Sequence, residues 1–342
     1  MKKVLVTGGC GYIGSHTIVE LINNGFDVVS VDSNINSDKE ALSAIEEITG
    51  KKVENHTFDL CDLEKTRDLF KKHPDFVGVI HFAALKAVGE SVEKPWDYYH
   101  NNLNSLLNIM ACIKEFGVNN LIFSSSCSVY GNAKALPVDE NTPMEPAESP
   151  YARTKQIGEH MLRDFCVANQ DVNVVLLRYF NPAGAHESGV MGESPVNIAL
   201  NLVPVITETA IGKRKKLFVH GGDYSTRDGS CIRDYIHVMD LANAHTKAVV
   251  FLTEKRNKAN CEVYNLGIGE GASVLEAINA FEKVSGEKLN YEIGPRRAGD
   301  VEAIYCSYEK ASNELGWKPT RSIEDIMQTA WEWEKTRSAV NS

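Results

Sequence analysis

The run Gly8-Gly9-Cys10-Gly11-Tyr12-Ile13-Gly14 follows the apolar segment Val4-Leu5-Val6-Thr7 and precedes Ser15 to Asn24, where apolar residues recur at helical spacing. A buried strand must therefore turn tightly into a helix. Glycine allows the backbone to approach a bound group at such a turn, and the helix start offers N–H donors to an anion. Asn24-Gly25 supplies a helix stop, and Phe26 to Val31 reads as a second strand ending on Asp32. A strand, glycine turn, helix and strand closing on an acid describe a parallel crossover unit that binds a dinucleotide. An acid at that place accepts from the adenosine ribose hydroxyls and repels a 2′-phosphate, which favours NAD over NADP.

The alternation continues. Val77 to Phe82, Asn120 to Ser124 and Val174 to Arg178 read as buried strands, with helical stretches near 62–72, 97–116 and 150–169 between them. This order predicts an α/β fold, a doubly wound parallel sheet of the Rossmann kind. After Asn181-Pro182 the alternation loosens and Gly and Pro increase. The expected division is a nucleotide-binding domain over 1–180, rejoined by part of 235–270, and a smaller α+β substrate region over 181–342. Short strands at 218–219 and 236–237 and helices at 273–284 and 322–336 are expected within it.

A net charge of −10 argues against a nucleic-acid footprint, which needs a basic stripe. The one basic run, Lys213-Arg214-Lys215-Lys216, reads as a solvated loop. The eight cysteines are scattered with no C-x-x-C spacing, which fits reduced thiols better than a disulfide frame or a zinc site, and no residues are assigned to a metal. No apolar run approaches the roughly 18 residues of a membrane span. A cytoplasmic setting is expected.

Ser149-Pro150 suits a helix N-cap and first turn, which places Tyr151 and Lys155 on one face of the helix that follows. A phenol with a pKa of about 10 is a poor base at neutral pH. A nearby ammonium and a helix N-terminus both favour the phenolate. Alone, Tyr-x-x-x-Lys is common by composition and far more often an exposed helix surface than a proton-transfer pair. Ser124-Ser125-Ser126 ends a strand of the same sheet, where ligands of open α/β folds sit, and its hydroxyls could meet a substrate oxygen.

With these motifs the chain resembles the extended short-chain dehydrogenase/reductases, and within them the UDP-galactose 4-epimerases. The spacing of Gly8, Gly11 and Gly14 and the Tyr-Lys pair are shared across the superfamily. Lys86-Ala87-Val88-Gly89-Glu90-Ser91 and Tyr179-Phe180-Asn181-Pro182-Ala183-Gly184-Ala185-His186 are more specific to the epimerases. Arg233-Asp234-Tyr235-Ile236-His237, Tyr264-Asn265-Leu266-Gly267 and Arg296-Arg297-Ala298-Gly299-Asp300 extend the likeness over nearly the whole length.

The resemblance implies reversible 4-epimerisation of UDP-galactose and UDP-glucose, with a transient hydride transfer to tightly bound NAD and a 4-keto sugar between. It implies Tyr151 as base and then acid, Lys155 as its modulator and Ser126 as the hydroxyl aligning the sugar 4-OH. Cofactor positions would be Gly8, Gly11, Tyr12, Ile13, Gly14, Asp32, Asn36, Ser37, Asp59, Leu60, Phe82, Ala83, Lys86, Asn101, Ser124, Tyr151, Lys155 and Tyr179. Substrate positions would be Lys86, Ser126, Tyr151, Asn181, Asn201, Leu202, Phe218, Arg233, Tyr235, Arg297, Asp300 and Ile304. A homodimer is also implied.

The sequence departs from the family in places. Cys127-Ser128 replaces a common Ala-Thr, Ser33 a frequent asparagine and His220 a common aromatic. At Ile304 some members carry a tyrosine and handle only unacetylated hexoses, while others carry a small residue and also accept N-acetylated ones. Isoleucine lies between, and both substrate ranges stay open. A related nucleotide-sugar dehydratase would carry an Asp-Glu pair after Ser126, where Cys127-Ser128-Val129 has no carboxylate; a decarboxylase is a further sibling. A non-catalytic nucleotide-sugar scaffold would show a broken Ser/Tyr/Lys set, and this set is intact.

Overall fold

The computed structural model describes residues 1–37, 40–195, 198–297 and 301–340. Its centre is a parallel sheet built from β1 (Lys3–Thr7), β2 (Asp27–Asp32), β3 (Glu54–Thr57), β4 (Phe76–His81), β5 (Asn120–Ser126), β6 (Asn173–Tyr179) and a seventh strand, Cys261–Leu266. Across the sheet the order is Cys261–Leu266, β6, β5, β4, β1, β2, β3. Thr7 lies in register with both Val31 and His81, and Ser126 with Tyr179, so the strand ends that carry the motifs form one rim. The central strands are buried on both faces, which is why they read as continuous apolar runs.

Helices cover each face. Ile18, Val19 and Leu21 of helix Tyr12–Asn23 pack with Leu241 and Val249 of helix Val238–Thr253 on one side. Leu69 and Phe70 of helix Leu63–Lys72, Leu106 and Ile109 of Pro95–Phe116 and Leu162 of Pro150–Ala168 fill the other. The chain thus comes back to the sheet after residue 235, first as helix Val238–Thr253 and then as strand Cys261–Leu266.

Among the strands and α-helices of residues 1–180, three had no sequence signal. Strand β3 is the polar stretch Glu-Asn-His-Thr at the sheet edge, where none of its four residues is buried and no apolar run is needed. Helix Glu40–Thr49 buries only Ile45, and helix Val88–Glu93 is a short turn before the Lys94 cap. Beyond the sheet, three small sheets pair Asn181–Ala183 with Tyr235–His237, Leu217–His220 with Tyr291–Gly294, and Ile232–Arg233 with both Ala272–Ser273 and Ala303–Ile304. Helices Leu202–Ala210, Val274–Ser285 and Ile323–Val340 close over a separate core around Ile206, Phe281, Ile326 and Met327. Buried Asp240 ties the two parts together. It accepts from Thr320 N at 2.8 Å, Thr320 Oγ1 at 2.7 Å, Arg321 N at 2.9 Å and Arg321 Nη1 at 2.6 Å. Among the described residues no helix is long and apolar enough to cross a membrane.

Five histidines are buried within this frame: His73, which burial also lowers, and four with larger shifts. Burial lowers His16 and His81 to about 3, and His237 and His245 to about 4. Each stays neutral in the fold but takes a proton near pH 6.5, its usual pKa, once unfolded. Between about pH 6.5 and 4 the unfolded chain therefore binds more protons, and the fold loses stability as pH falls. The urea midpoint is expected to drop across that window. His245→Phe, which keeps a ring against Phe82 (4.7 Å) and Tyr179 (5.4 Å), should shallow the drop; equal slopes would refute this account.

Candidate active site

The glycine turn is crowded where the sequence required glycine. Gly8 has φ +68°, and a Cβ there would meet Ala83 N at 2.9 Å; a Cβ on Gly14 would meet Gly8 O at 2.2 Å. Gly11 caps helix Tyr12–Asn23 without a side chain, so nothing of its own competes for the helix-start N–H groups of Tyr12, Ile13 and Gly14. Asp32 ends β2 with Oδ2 accepting from Cys10 N at 3.0 Å and Oδ1 accepting from Asn34 N at 2.8 Å and Ser37 Oγ at 2.7 Å. The acid therefore also fastens the glycine turn, a role its position in sequence did not reveal. A carboxylate holds about four lone-pair sites, so capacity for ribose hydroxyls remains.

The other cofactor-side positions lie along the same rim or just outside it. Ala83 N donates to Thr7 Oγ1 at 3.2 Å, and Phe82 packs on His245. Asp59 Oδ1 accepts from Cys61 N at 2.9 Å beside buried Leu60, while Asn36 is exposed. Asn101 Nδ2 donates to Asn102 Oδ1 at 3.0 Å. Asn102, which the sequence did not single out, bonds Leu85 N (2.8 Å), Leu85 O (3.0 Å) and Thr154 Oγ1 (3.1 Å). It links the segment bearing Lys86 to the helix bearing Tyr151.

That helix, Pro150–Ala168, begins as its sequence dictates: Ser149 Oγ accepts from Ala152 N at 3.2 Å and Pro150 occupies the first turn. Lys155 is buried and donates to Ser124 O at 2.6 Å; its ammonium lies 5.8 Å from the Tyr151 ring centre and 5.0 Å from that of Phe123. Ser126 Oγ accepts from Ser128 N at 3.2 Å and lies within hydrogen-bond reach of the Tyr151 hydroxyl. Tyr179 is buried at the end of β6 in register with Ser126.

Electrostatics differ from the sequence expectation. Tyr151 is only partly covered as a residue, yet burial around its hydroxyl pushes the phenol up to about 12, with Ser126 pulling it back. Burial likewise lowers Lys155 to about 7, opposed by the charge of Glu159. Desolvation thus outweighs the expected stabilisation of the phenolate. Each charge alone is disfavoured; a phenolate and an ammonium formed together would support each other.

Beneath the pair lies a buried network. Glu159, one turn beyond Lys155, receives Arg178 Nε at 2.8 Å, Arg178 Nη2 at 2.7 Å and Ser125 Oγ at 2.6 Å. Arg178 Nη1 reaches Tyr130 OH at 3.0 Å, and that hydroxyl donates to Asn265 Oδ1 at 2.7 Å. Burial opposes the carboxylate, but the bonds and charge of Arg178 hold Glu159 below the usual range.

On the substrate side, Asn201 Nδ2 donates to Glu193 Oε1 at 2.7 Å, and the Lys86 ammonium lies 3.6 Å from the same oxygen. Glu193 had no signal in the sequence, and its charge also raises the pKa of Tyr12, second to burial. Asn181 N donates to Asp234 O at 2.8 Å. Buried Asp234 in turn accepts from Ile268 N at 2.6 Å and Cys306 N at 3.2 Å. Arg233 lies in register with Ile304 and close enough to Cys127 to lower its pKa, although burial drives that thiol up to about 12 overall. Few thiolates form at such a value, so Cys127 is a poor oxidation target. Ile304 sits in an apolar cluster with Val129, Tyr130, Val138, Phe180 and Cys306, against which Cys127 packs. Phe218 is 54% exposed, Leu202 is half-buried and Arg297 is exposed. Tyr235 belongs to the core of the second region rather than to an open surface. Asp300 lies outside the described residues.

Removing one partner of the Glu159–Arg178 pair leaves a buried charge uncompensated. Glu159→Ala is expected to cost about 3–5 kcal/mol in urea unfolding, while Ser125→Ala costs about 1 kcal/mol. Similar small losses in both would show that the pair does not carry this weight.

Comparison with known proteins places this geometry. The family model described as GDP-mannose 4,6 dehydratase matches residues 5–330. The UDP-glucose 4-epimerase of Pongo abelii is 47% identical over 340 residues, spanning 98% of this chain and 97% of that protein. That of Bacillus subtilis is 46% identical over 333 residues, 97% of each chain. The crystal structure of the Bifidobacterium longum UDP-glucose 4-epimerase in complex with NAD+ and UDP superposes with a TM-score of 0.94 at 46% identity, covering 98% of this chain and 99% of that one. The chain belongs to the UDP-glucose 4-epimerase family.

Proposed function

We propose that this protein interconverts UDP-galactose and UDP-glucose, with NAD held at the glycine turn. The observation that carries the reading is the gathering of Tyr151, Lys155 and Ser126 at the carboxyl end of the sheet, beside Gly8 to Gly14 and Asp32. The donor set fits a dinucleotide: helix-start N–H groups for the pyrophosphate, Asp32 for the adenosine ribose, and Lys155 for the second ribose. NAD supplies the site with an acceptor and donor of hydride at a sugar carbon that has no acidic C–H.

The remaining work falls to side chains of this chain. Tyr151 takes the proton of the sugar 4-OH and later returns it. Lys155, charged beside it, lowers the cost of the phenolate. Ser126, beside the Tyr151 hydroxyl, turns its own hydroxyl to the sugar O4. Arg233 and Arg297 suit the diphosphate as forked donors, and the exposed ring of Phe218 offers a stacking face for the base. Asn181 and Asn201 add amide donors beside the sugar, with Lys86 at the cofactor boundary. The sheet with its covering helices, including 235–270, forms the NAD-binding unit in this reading, and the small sheets beyond residue 180 form the UDP-sugar unit.

A homodimer and a cytosolic setting complete the proposal. Val92, Trp96, Leu107 and Val167 expose large apolar surface on helices next to one another, which supports a helical contact between copies. All eight cysteines are free, which supports a reducing compartment.

Purified protein incubated with UDP-galactose and no added NAD is expected to form UDP-glucose, and the reverse reaction to run as well. A product lacking water or carbon dioxide would overturn the assignment. Tyr151→Phe should lower turnover by about 10²–10⁴ while NAD remains bound, as read from cofactor released on denaturation; full activity would remove Tyr151 from the mechanism. Ile304→Gly opens the apolar cluster behind Cys127 and is expected to shift kcat/KM toward UDP-N-acetylhexosamines by about tenfold or more. An unchanged ratio would mean that Ile304 does not shape the sugar site.

A further inference from the structure

The edge strand carries a group of ligating side chains that the proposed reaction does not use. Glu54 and His56 are two residues apart on β3 and so project from one face of the sheet. The intervening and following residues turn the other way, where Asn55 meets Cys10 and Thr57 meets Asn34 near the glycine turn. The pair therefore faces away from the dinucleotide side. His73, which ends helix Leu63–Lys72, closes over them, its ring against Phe76 at 5.4 Å and edge-on to His56 at 5.8 Å.

One ligand atom from each residue lies within 4.8 Å of the other two. His56 Nε2 is 2.9 Å and His73 Nε2 3.4 Å from Glu54 Oε1. Bonds of about 2.0–2.2 Å to a tetrahedral zinc ion space its ligands by about 3.3–3.5 Å, so small side-chain shifts admit the ion. His73 is 6% exposed, and its Nε2 is buried and makes no hydrogen bond among the described residues. A buried imidazole nitrogen that faces a carboxylate oxygen at 3.4 Å without a well-formed hydrogen bond is poorly satisfied, and coordinating an ion would satisfy it. The spot already attracts a cation: the Lys72 ammonium sits 2.6 Å from Glu54 Oε1, on a side chain 58% exposed and free to swing away.

We propose that Glu54, His56 and His73 form a binding site for a divalent transition-metal ion of the zinc class, separate from the active site, with the fourth position open to water. Two imidazoles and one carboxylate with an open fourth place are a zinc-type ligand set. Bound there, the ion joins the outermost strand to the end of the helix that covers it and stabilises the folded chain by mass action.

Zinc sulfate titrated into chelator-treated, NAD-loaded protein tests the assignment by calorimetry and thermal melting. Wild type is expected to bind zinc saturably and to melt at higher temperature with it. His56→Ala, at a half-exposed position that does not endanger folding, should weaken binding by at least about tenfold and abolish the thermal shift, with turnover of UDP-galactose unchanged. Lys72→Met, which removes the competing ammonium, should tighten binding. Cobalt in place of zinc should give the intense visible bands of a low-coordinate site in wild type and lose them in His56→Ala. Absence of saturable binding, or wild-type zinc affinity in both variants, overturns the proposal.

Discussion

The buried Glu159–Arg178 pair is the contact on which the arrangement of helix Pro150–Ala168 depends. Two bonds of 2.7 and 2.8 Å join helix Pro150–Ala168 to β6, and Ser125 extends the join to β5. Tyr130 and Asn265 carry it on to the edge strand. A helix packed on a sheet through apolar contacts alone can slide or roll at small cost. Forked bonds from a planar guanidinium to a carboxylate resist both motions. Lys155 and Glu159 are four residues apart, so fixing Glu159 also fixes the height of Lys155 above Ser124 and the place of Tyr151 one turn earlier.

That rigidity sets the electrostatics. A base that works at neutral pH needs its charged form made accessible, yet the protein by itself raises Tyr151 and lowers Lys155 through burial. The two shifts are complementary. Each group is held close to its neutral form, and their opposite charges favour each other when both ionise. A water-poor site also strengthens the effect of any positive charge that a bound dinucleotide brings near the phenol. On the proposed reading the site would become basic when it is filled, which would limit stray proton transfer when it is not.

How legible all this was depended on which physical rule each feature obeys. The glycine turn, the strand ending at Asp32 and the Ser149-Pro150 helix start follow local rules of backbone space and capping, and they stand where their residues placed them. The doubly wound sheet follows from apolar runs alternating with helical periods. The Glu159 network, Asn102 and Glu193 were not visible because each is defined by partners distant in sequence; Glu159 in isolation is an ordinary helix glutamate. Strand β3 was missed because an edge strand with no buried residue has neither an apolar run nor an alternation. The sign of the Tyr151 shift was missed because charge neighbours can be counted in a sequence and desolvation cannot.

The contrast between the two halves bears on how one site could serve both faces of a sugar. The dinucleotide side is assembled from one sheet rim, tied by short internal bonds at Asp32, Thr7 and Lys155. The proposed sugar side instead draws on separate small elements: Asn181 on one two-stranded pair, Arg233 on another sheet, Phe218 on a third and Asn201 at a helix cap. Groups spread over independent elements can grip the two ends of a nucleotide diphosphate without crowding the hexose. Near Ser126 the wall is the apolar cluster around Ile304 and Cys127, which offers few directional bonds to a turning ring. On the proposed function, binding energy at the nucleotide and chemistry at a fixed proton relay would let the keto sugar rotate between them without either end letting go.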